Sequence, residues 1–390
     1  MSSRLFNSWR FAAFAACLSV SATAQTQSAV GNGVPSPDDA PVALLVDITS
    51  GQVLFARNAD RRFAPASMTK TMTAFVAFER IASGTLDPLQ MITVPAEVSE
   101  EWYGKGSSML LPPDAQVPVG DLLAGIATVS ANDGSIVLAQ GVSGSVPAWL
   151  DEMNQTARSL GMENSHFGTP NGWPDEGYTF TTANDLILLA TAMIERHPQL
   201  YSAYIGRPSF AYNGLSQVNR DPLLGRTEGA DGIKTGFTNE AGFGFLGTAK
   251  RDDQRLVMVL AGVNRNALRA RLSRQFIEWG FEAYERKQLL RENAIVGTAR
   301  VQGGSARSVG LTTDRDVFVN IPRGQTGTIE YKITYDGPVR APIKQGDPIA
   351  QLEISAEGIE PAIVPLIAQD SVETAGFAQR VLNGIAGWFG

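Results

Sequence analysis

The chain has 390 residues, of which 44% are hydrophobic and 18% charged, and its formal net charge is −7. This composition is typical of a globular protein, and the length allows two domains with a large buried core in the first. The acidic balance, without any run of lysine and arginine, argues against nucleic-acid binding as the function.

Residues 1–24 are typical of a signal peptide. Two arginines precede the apolar run Phe11–Val20, and small residues ending at Ala24 form a cleavage site. Because this run is too short to span a bilayer as a stable helix, we expect export and cleavage, with an uncleaved anchor as the alternative. Cys17 is the only cysteine, so the mature chain would hold no disulfide, thiol nucleophile or cysteine–zinc site.

Residues 25–40 are rich in Ser, Gly and Pro and predict a flexible lead-in. Over residues 41–287 the pattern indicates strands, then helices, then strands and a closing helix, which predicts an antiparallel sheet covered by helices, an α+β domain. The predicted strands are Val42–Asp47, Val53–Ala56, Gly232–Thr235, Gly242–Ala249 and Leu256–Val263. The predicted helices are Ser67–Ile81, Asp121–Thr128, Ile136–Gly141, Trp149–Leu160, Thr182–Arg196 and Asn266–Tyr284.

Two further segments complete the chain. Residues 288–368 contain short strands such as Val317–Val319 and Ile329–Ile333 between turn signals, which predicts a small all-β domain. In residues 369–390 large apolar side chains recur at helical spacing, which predicts an amphipathic helix of the kind that anchors proteins at a membrane surface. The alternative is a helix that packs on the protein's own surface or on a partner. The apolar positions of this helix are Phe377, Val381, Ile385 and Trp388.

Three short motifs occur in a characteristic order within the predicted α+β domain. They are Ser67-Met68-Thr69-Lys70, Ser130-Ala131-Asn132 and Lys234-Thr235-Gly236. Each is common by itself, but in this order they are typical of serine acyl-transfer enzymes. The sequence therefore predicts a nucleophile, a base and a lysine that binds an anion.

The first motif predicts an activated serine. Ser67 and Lys70 lie three positions apart on a predicted helix, so their side chains share one face. The helix start favours negative charge, which makes the Ser67 N–H a candidate oxyanion donor. Lys70 must be neutral to accept the serine proton, and we expect both desolvation and the second cation, Lys234, to lower its pKa.

The other two motifs predict groups that hold the substrate. The Ser130 hydroxyl can relay a proton to a leaving amine, and the Asn132 amide can bind a peptide carbonyl. On the predicted strand, Lys234 offers charge to a carboxylate and Gly236 leaves room for a substrate backbone. The N–H of Phe237 is a candidate second oxyanion donor. Strand alternation places Thr235 opposite its neighbour Lys234, so periodicity alone assigns Thr235 no role.

These residues resemble the low-molecular-mass penicillin-binding proteins, specifically the D-alanyl-D-alanine carboxypeptidases, which are serine peptidases of the S11 type. The likeness covers nearly all of the mature chain, including the all-β segment and the terminal helix. Further stretches that look like this family are Leu45-Val46-Asp47, Asn58-Ala59-Asp60, Pro65-Ala66-Ser67, Leu160-Gly161-Met162, Asn164-Ser165-His166-Phe167, Thr181-Thr182-Ala183, Trp279-Gly280-Phe281 and Ala341-Pro342-Ile343.

The resemblance implies a β-lactamase/penicillin-binding-protein-like fold and a specific activity. That activity is removal of the terminal D-alanine from peptidoglycan pentapeptides through an acyl-enzyme on Ser67, which β-lactams would also acylate. It implies periplasmic location, with the terminal helix on the outer face of the cytoplasmic membrane. Arg269 matches the family arginine that meets the substrate carboxylate; an ordinary solvated helix arginine is the alternative. Ala131, Phe237 and Asn184 depart from frequent family residues, which puts the pocket shape in question.

The same motifs are compatible with other functions. The commonest β-lactamases deacylate with a glutamate in an E-x-x-x-N segment, and every glutamate between the second and third motifs lacks that asparagine. A non-catalytic peptidoglycan-binding scaffold would have no use for an activated nucleophile. Endopeptidase and transpeptidase reactions would use the same residues, so the sequence leaves them open.

The sequence predicts no cofactor and no metal. The pattern Gly242–Gly247 matches a nucleotide-binding fingerprint but lies within a strand that leads to a hairpin turn. His166 and His197 are the only histidines and are far apart in the sequence, so a zinc site has no basis.

Overall fold

The structure is a computed structural model that describes residues 33–325, 329–355 and 361–376. The predicted signal peptide, most of the lead-in and the predicted anchor from Phe377 onward lie outside the described residues. The described first part of the predicted amphipathic helix, residues 369–376, is not helical. Val372 and Thr374 instead pair with Ile343 and Gly304, because Val372 is buried in the core of the β-rich part. Within the described ranges, no helix is both long and apolar enough to cross a bilayer.

The first part of the chain alternates between sheet and helix. A 3-10 turn over Ala66–Thr69 precedes the first helix. The strands are β1 (Val42–Asp47), β2 (Gln52–Arg57), β3 (Met91–Thr93), β4 (Gln116–Pro118), β5 (Ser209–Tyr212), β6 (Leu215–Val218), β7 (Ala230–Thr238), β8 (Gly242–Arg251) and β9 (Gln254–Val263). The helices are α1 (Lys70–Ala82), α2 (Ala96–Trp102), α3 (Val119–Thr128), α4 (Asn132–Ser143), α5 (Val146–Ser159), α6 (Ala183–Arg196), α7 (Pro198–Tyr204) and α8 (Asn266–Glu282).

One antiparallel sheet separates two helical layers. Its five strands run in the order β2-β1-β9-β8-β7, so β7 is an edge strand. Alternate residues of β1 face opposite layers: Leu44 packs with the large cluster that includes α1 and α3–α6, whereas Leu45 packs with α8. Both faces are therefore buried, which is why β1 is apolar from Val42 to Val46. The predicted α+β architecture is confirmed.

Two details differ from the sequence-based expectations. Ser67 lies in the 3-10 turn rather than at the start of an α-helix, because α1 begins only at Lys70. The closing helix ends at Glu282, and Tyr284 instead begins the next strand. There the Tyr284 hydroxyl donates a hydrogen bond of 2.6 Å to the carbonyl of Leu54, which ties the new strand to β2.

The second part of the chain is all β within the described residues. A two-stranded sheet β10-β13 joins a six-stranded sheet in the order β14-β16-β17-β12-β11-β15, and the strands enclose their own apolar core. The predicted strands at Val317–Val319 and Ile329–Ile333 lie in β13 and β14. The strands are β10 (Tyr284–Leu290), β11 (Gly297–Gln302), β12 (Ser308–Thr312), β13 (Val317–Pro322), β14 (Glu330–Thr334), β15 (Val339–Arg340), β16 (Pro348–Ser355) and β17 (Ala362–Ala368).

A buried polar network joins the two parts. Asn320 on β13 is fully buried, and its Nδ2 donates to Asp47 Oδ2 at 2.7 Å and to Ser50 Oγ at 3.1 Å. The Asn320 backbone N–H donates to Gln52 Oε1 at 2.5 Å, and Gln254 Nε2 donates to the same Asp47 oxygen at 3.0 Å. These bonds satisfy the buried Asp47 carboxylate and hold the β-rich part against β1 and β2.

Candidate active site

The 3-10 turn brings Ser67 against Lys70. The Lys70 Nζ donates to Ser67 Oγ at 3.0 Å, so the two side chains of the first motif are in contact. Ala66, directly before the serine, has a φ of 49°, a conformation that L-residues with a Cβ seldom adopt. The backbone is thus strained at the residue directly before Ser67.

Lys70 is buried among acceptors. Its side chain is 1% exposed, and besides Ser67 its Nζ donates to Asn132 Oδ1 at 2.8 Å and to the Asn171 carbonyl at 2.5 Å. Burial lowers the pKa of Lys70 well below its usual value, and the nearby charge of Lys234 lowers it further, while Asp133 acts in the opposite direction. The environment therefore favours the neutral amine that a general base requires.

The second motif lies where α3 gives way to α4. Ser130 has a φ of 66°, and this left-handed turn allows Asn132 to begin α4 two residues later. The Asn132 Nδ2 donates to the Lys105 carbonyl at 3.0 Å, which fixes the amide so that its oxygen faces Lys70. An amide carries two N–H donors, so one remains for a ligand.

The neighbouring carboxylate holds the loop that faces this turn. Asp133 is 1% exposed, and its oxygens accept hydrogen bonds from Ser108 Oγ at 2.7 Å, Met109 N at 3.0 Å and Leu111 N at 3.1 Å. Asp133 thus positions the loop that carries Lys105, the acceptor for Asn132.

The third motif lies on the edge strand β7, next to the serine turn. Thr235 and Phe237 face the open cleft, whereas Lys234 is buried behind them, as strand alternation requires. A Cβ on Gly236 would lie 2.6 Å from the Pro65 carbonyl. The close approach of β7 to the serine turn therefore requires glycine here, a packing reason that the sequence did not reveal.

Two more cations surround Lys234. Its Nζ donates to the Thr235 carbonyl at 3.2 Å. Burial lowers the pKa of Lys234 to about 7, helped by the charges of Arg220 and Arg269 and opposed by Asp221. The Arg269 guanidinium is itself buried, with Nη1 3.4 Å from the Gly244 carbonyl and Nη2 3.4 Å from the Arg220 carbonyl. Burial is also the main cause that lowers the Arg269 pKa, to about 10.

One buried carboxylate lies within this cationic group. Asp221 Oδ1 accepts from Leu223 N at 2.7 Å and from Leu224 N at 3.3 Å, and its Oδ2 is buried without a protein partner among the described residues. Burial raises the pKa of Asp221 to about 6, although Arg269 and Lys234 both lower it. The cluster thus combines three cations with one carboxylate that is partly compensated by backbone N–H groups.

All these elements border one cavity of about 590 Å³. Of the residues predicted from the sequence, the two lysines lie buried behind its wall and the other seven line it. Among the described residues, no aspartate or glutamate lines this cavity, and no cluster of potential metal ligands occurs. The predicted residues in the wall are Ser67, Ser130, Asn132, Thr235, Gly236, Phe237 and Arg269.

Sequence reasoning missed several residues of the site. Asn171 supplies a backbone carbonyl to Lys70, and its Pro-Asn-Gly turn signal predicts a loop but not the loop's destination. Arg220 and Asp221 lie in a region without a recognised motif. Phe243 lines the cavity because it pairs with Phe237 across β7 and β8, which only the strand register reveals.

Two of the three residues that depart from the family pattern lie outside the cavity wall. Asn184 donates to Asp60 Oδ1 at 2.6 Å at the start of α6, and Ala131 is fully buried in the helical core. Only Phe237 lines the cavity. The question about pocket shape is therefore confined to this position.

Comparisons with known proteins identify the family of the chain. A family described as D-alanyl-D-alanine carboxypeptidase (peptidase S11) matches residues 31–265, and the penicillin-binding protein 5 C-terminal domain matches residues 284–374. The D-alanyl-D-alanine carboxypeptidase DacC of Escherichia coli is 34% identical over 380 residues, 94% of each chain.

Solved structures show the same relationship. Penicillin-binding protein 5 of Haemophilus influenzae has a TM-score of 0.76 and 31% identity, covering 87% of this chain and all of that one. Penicillin-binding protein D2 of Listeria monocytogenes, in an ampicillin-bound form, has a TM-score of 0.57 and 29% identity, covering 63% of this chain and 98% of that one. The chain therefore belongs to the S11 family of D-alanyl-D-alanine carboxypeptidases, which are serine hydrolases.

Proposed function

We propose that Ser67 is the nucleophile with which this serine-type D-Ala-D-Ala carboxypeptidase removes the terminal D-alanine from peptidoglycan pentapeptides. The observation that carries the proposal is the 3.0 Å contact between Ser67 Oγ and the buried Lys70 Nζ. Because burial favours the neutral amine, Lys70 accepts the hydroxyl proton while Oγ bonds to the carbonyl carbon of the penultimate D-alanine.

The tetrahedral intermediate then collapses to an acyl-enzyme. In this proposal the N–H groups of Ser67 and Phe237 stabilise the oxyanion. Ser130, which lies at the cavity wall with a nearly buried side chain, relays a proton to the amine of the departing D-alanine. Water afterwards hydrolyses the ester on Ser67, which regenerates the hydroxyl and releases the shortened peptide.

Substrate binding follows from the remaining wall residues. The second N–H of the Asn132 amide binds a peptide carbonyl, and the β7 edge at Gly236 runs beside the substrate backbone. The terminal carboxylate lies at Thr235 and the Arg269 guanidinium, with the charge of Lys234 behind them. A planar guanidinium with paired N–H donors suits a carboxylate, and it is the buried position of Arg269 that favours this role over a solvated helix arginine.

β-Lactams would acylate the same serine. We propose that their esters persist, because among the described residues no carboxylate lines the cavity to activate a deacylating water. The Listeria relative with bound ampicillin supports β-lactam binding at a site of this kind. Rapid turnover of a chromogenic cephalosporin would instead support the β-lactamase alternative.

Mass spectrometry after penicillin treatment tests the nucleophile. We expect a stable adduct on the purified wild-type protein and none on Ser67→Ala, together with D-alanine release from a pentapeptide by the wild type alone. An adduct on both proteins would place the nucleophile elsewhere. No adduct with intact penicillin, and cellular activity retained by Ser67→Ala, would support the non-catalytic scaffold.

Location and domain limits remain predictions of the same proposal. We propose export with cleavage after Ala24, a periplasmic enzyme, and attachment of residues 377–390, the remaining part of the predicted helix, to the outer face of the cytoplasmic membrane. The domain limits 41–287 and 288–368 stay predictions. N-terminal sequencing of the exported protein tests the cleavage site. A chain that ends at Gly376 keeps the buried Val372 and Ala375 of the β-rich part. It should move from the membrane to the soluble fraction with unchanged penicillin acylation; continued membrane association would contradict the anchor.

A further inference from the structure

A pair of aromatic residues, of which one is exposed, lines the cavity beside the proposed carboxylate site. Phe237 is 48% exposed although its ring stacks on Phe243, with centroids 4.1 Å apart and planes inclined by 23°. Both rings line the cavity, and together they are called the aromatic wall below. One face of Phe237 packs on its neighbour, so a large apolar surface remains available to a ligand.

The position of the aromatic wall relates it to one part of the substrate. The Arg269 guanidinium carbon lies 6.0 Å from the Phe243 ring centroid. Thr235 and Phe237 lie two positions apart on β7, so both side chains face the cleft. A carboxylate bound at Arg269 and Thr235 therefore lies beside the aromatic wall, near Phe243 through Arg269 and near Phe237 through the spacing on β7. The side chain on the adjacent Cα of the terminal residue then reaches the aromatic wall.

We infer that the aromatic wall contacts the side chain of the C-terminal D-amino acid, and that Phe237 makes the enzyme favour apolar over polar side chains at that position. This inference rests on the proposed function, because it needs the substrate carboxylate at Arg269. A hydroxyl placed against the rings loses its water without gaining a hydrogen-bond partner, whereas a methyl group covers apolar surface.

Two isosteric substrates measure this preference directly. Peptides ending in D-Ala-D-2-aminobutyrate and D-Ala-D-Ser differ only by a methyl group in place of a hydroxyl, and D-Ala-D-Ala serves as the reference. Since the aromatic wall covers one side of the ligand, we expect kcat/KM to favour the aminobutyrate peptide about 10-fold, near the lower limit for discrimination in an apolar pocket.

Variants of Phe237 separate recognition from folding. In Phe237→Ala the ratio of the two kcat/KM values should fall to about 2, whereas Phe237→Leu should retain most of the preference because it keeps an apolar surface. Tyr331→Ala, which removes an exposed aromatic from the β-rich part, is the matched control and should keep the wild-type ratio. A merely structural role of Phe237 would lower both rates and leave their ratio unchanged.

The outcomes distinguish a failure of the role given to the aromatic wall from a failure of the proposed function. An equal ratio in wild type and Phe237→Ala, with D-alanine still released from D-Ala-D-Ala, overturns the role of the aromatic wall and leaves the proposed function intact. If the wild type releases no terminal residue from any of the three peptides, the proposed function fails and the inference fails with it.

Discussion

Lys70 Nζ lies 3.0 Å from Ser67 Oγ although the serine belongs to a 3-10 turn and the lysine begins an α-helix. The tighter turn keeps residues three apart on one side of the chain, so the change of helix type preserves the contact. Asn132 and the Asn171 carbonyl hold the amine from the other side. In the neutral amine the two N–H groups donate to Asn132 and Asn171, and the nitrogen lone pair is left to accept the proton of Ser67.

Replacing this lysine by arginine should slow acylation strongly. A guanidinium cannot lose its proton at neutral pH, so Lys70→Arg removes the base. We expect penicillin acylation to slow by about 10²–10⁴-fold, the usual contribution of a general base. Lys105→Arg, a partly exposed lysine near the cavity, is the control and should keep the wild-type rate. A loss below 10-fold in Lys70→Arg would exclude Lys70 as the base.

We expect kcat/KM for the peptide substrate to fall at alkaline pH because Lys234 loses its proton. This decrease is the alkaline limb of the pH profile. The pKa of Lys234 is lowered to about 7, so the ammonium loses its proton as pH rises through that value and the attraction for the substrate carboxylate falls. We expect kcat/KM to decrease above about pH 7 in the wild type. Lys234→Arg should remove this limb, because an arginine stays charged. The same limb near pH 7 in Lys234→Arg would contradict the assignment.

Neutralising Asp221 should shift the alkaline limb assigned to Lys234 to lower pH. The Asp221 carboxylate raises the pKa of Lys234, so Asp221→Asn removes a stabilising charge and lowers the lysine pKa further. The alkaline limb should therefore shift to lower pH, measured as acylation rate against pH. Asp114→Asn changes an exposed carboxylate at a φ of 62° that asparagine tolerates, and it should leave the profile unchanged. A shift to higher pH in Asp221→Asn would reverse the proposed sign.

Adding a methyl group to Gly236 should displace the serine turn. The new Cβ would lie 2.6 Å from the Pro65 carbonyl, a backbone atom that cannot move without shifting Ser67. We expect Gly236→Ala to lower the free energy of unfolding by about 1–3 kcal/mol and acylation by about 100-fold. Gly376→Ala adds a methyl group that meets nothing within 4 Å and should change neither quantity. Wild-type acylation by Gly236→Ala would show that the turn adapts.

Removing the amide of Asn320 should weaken the contact between the β-rich part and the strands β1 and β2. The acylation reaction at Ser67 should be unaffected. Asn320→Ala deletes the bonds to Asp47 and Ser50 inside a buried network. The loss of a donor to a buried carboxylate should cost about 1–3 kcal/mol, measured as a lower thermal midpoint. The penicillin acylation rate at 25 °C should stay within twofold of the wild type. A large fall in that rate would show that the junction positions the site.

The spacing of apolar and polar residues along the chain was sufficient to predict much of the fold. β1 was predicted with its observed limits, because a short apolar run buried on both faces carries its signal in adjacent residues. The contact between Ser67 and Lys70 also followed from spacing alone, since neighbours three positions apart meet in any right-handed helix. The start of the first α-helix did not follow, because a 3-10 turn is common at helix N-termini and carries no sequence pattern that separates it from the α-helix after it.

The amino-acid sequence alone determined which reacting groups the protein carries and the order in which the chain presents them. Only the tertiary structure decided that Asn171 meets Lys70, that Asp221 lies among three cations, and that Phe237 stacks on Phe243. These contacts join residues far apart in the chain or on paired strands, and they depend on register and packing. The spacing of residues in one segment indicates whether it forms a helix or a strand. The burial that lowers the pKa of each lysine arises only when distant segments pack together and exclude water.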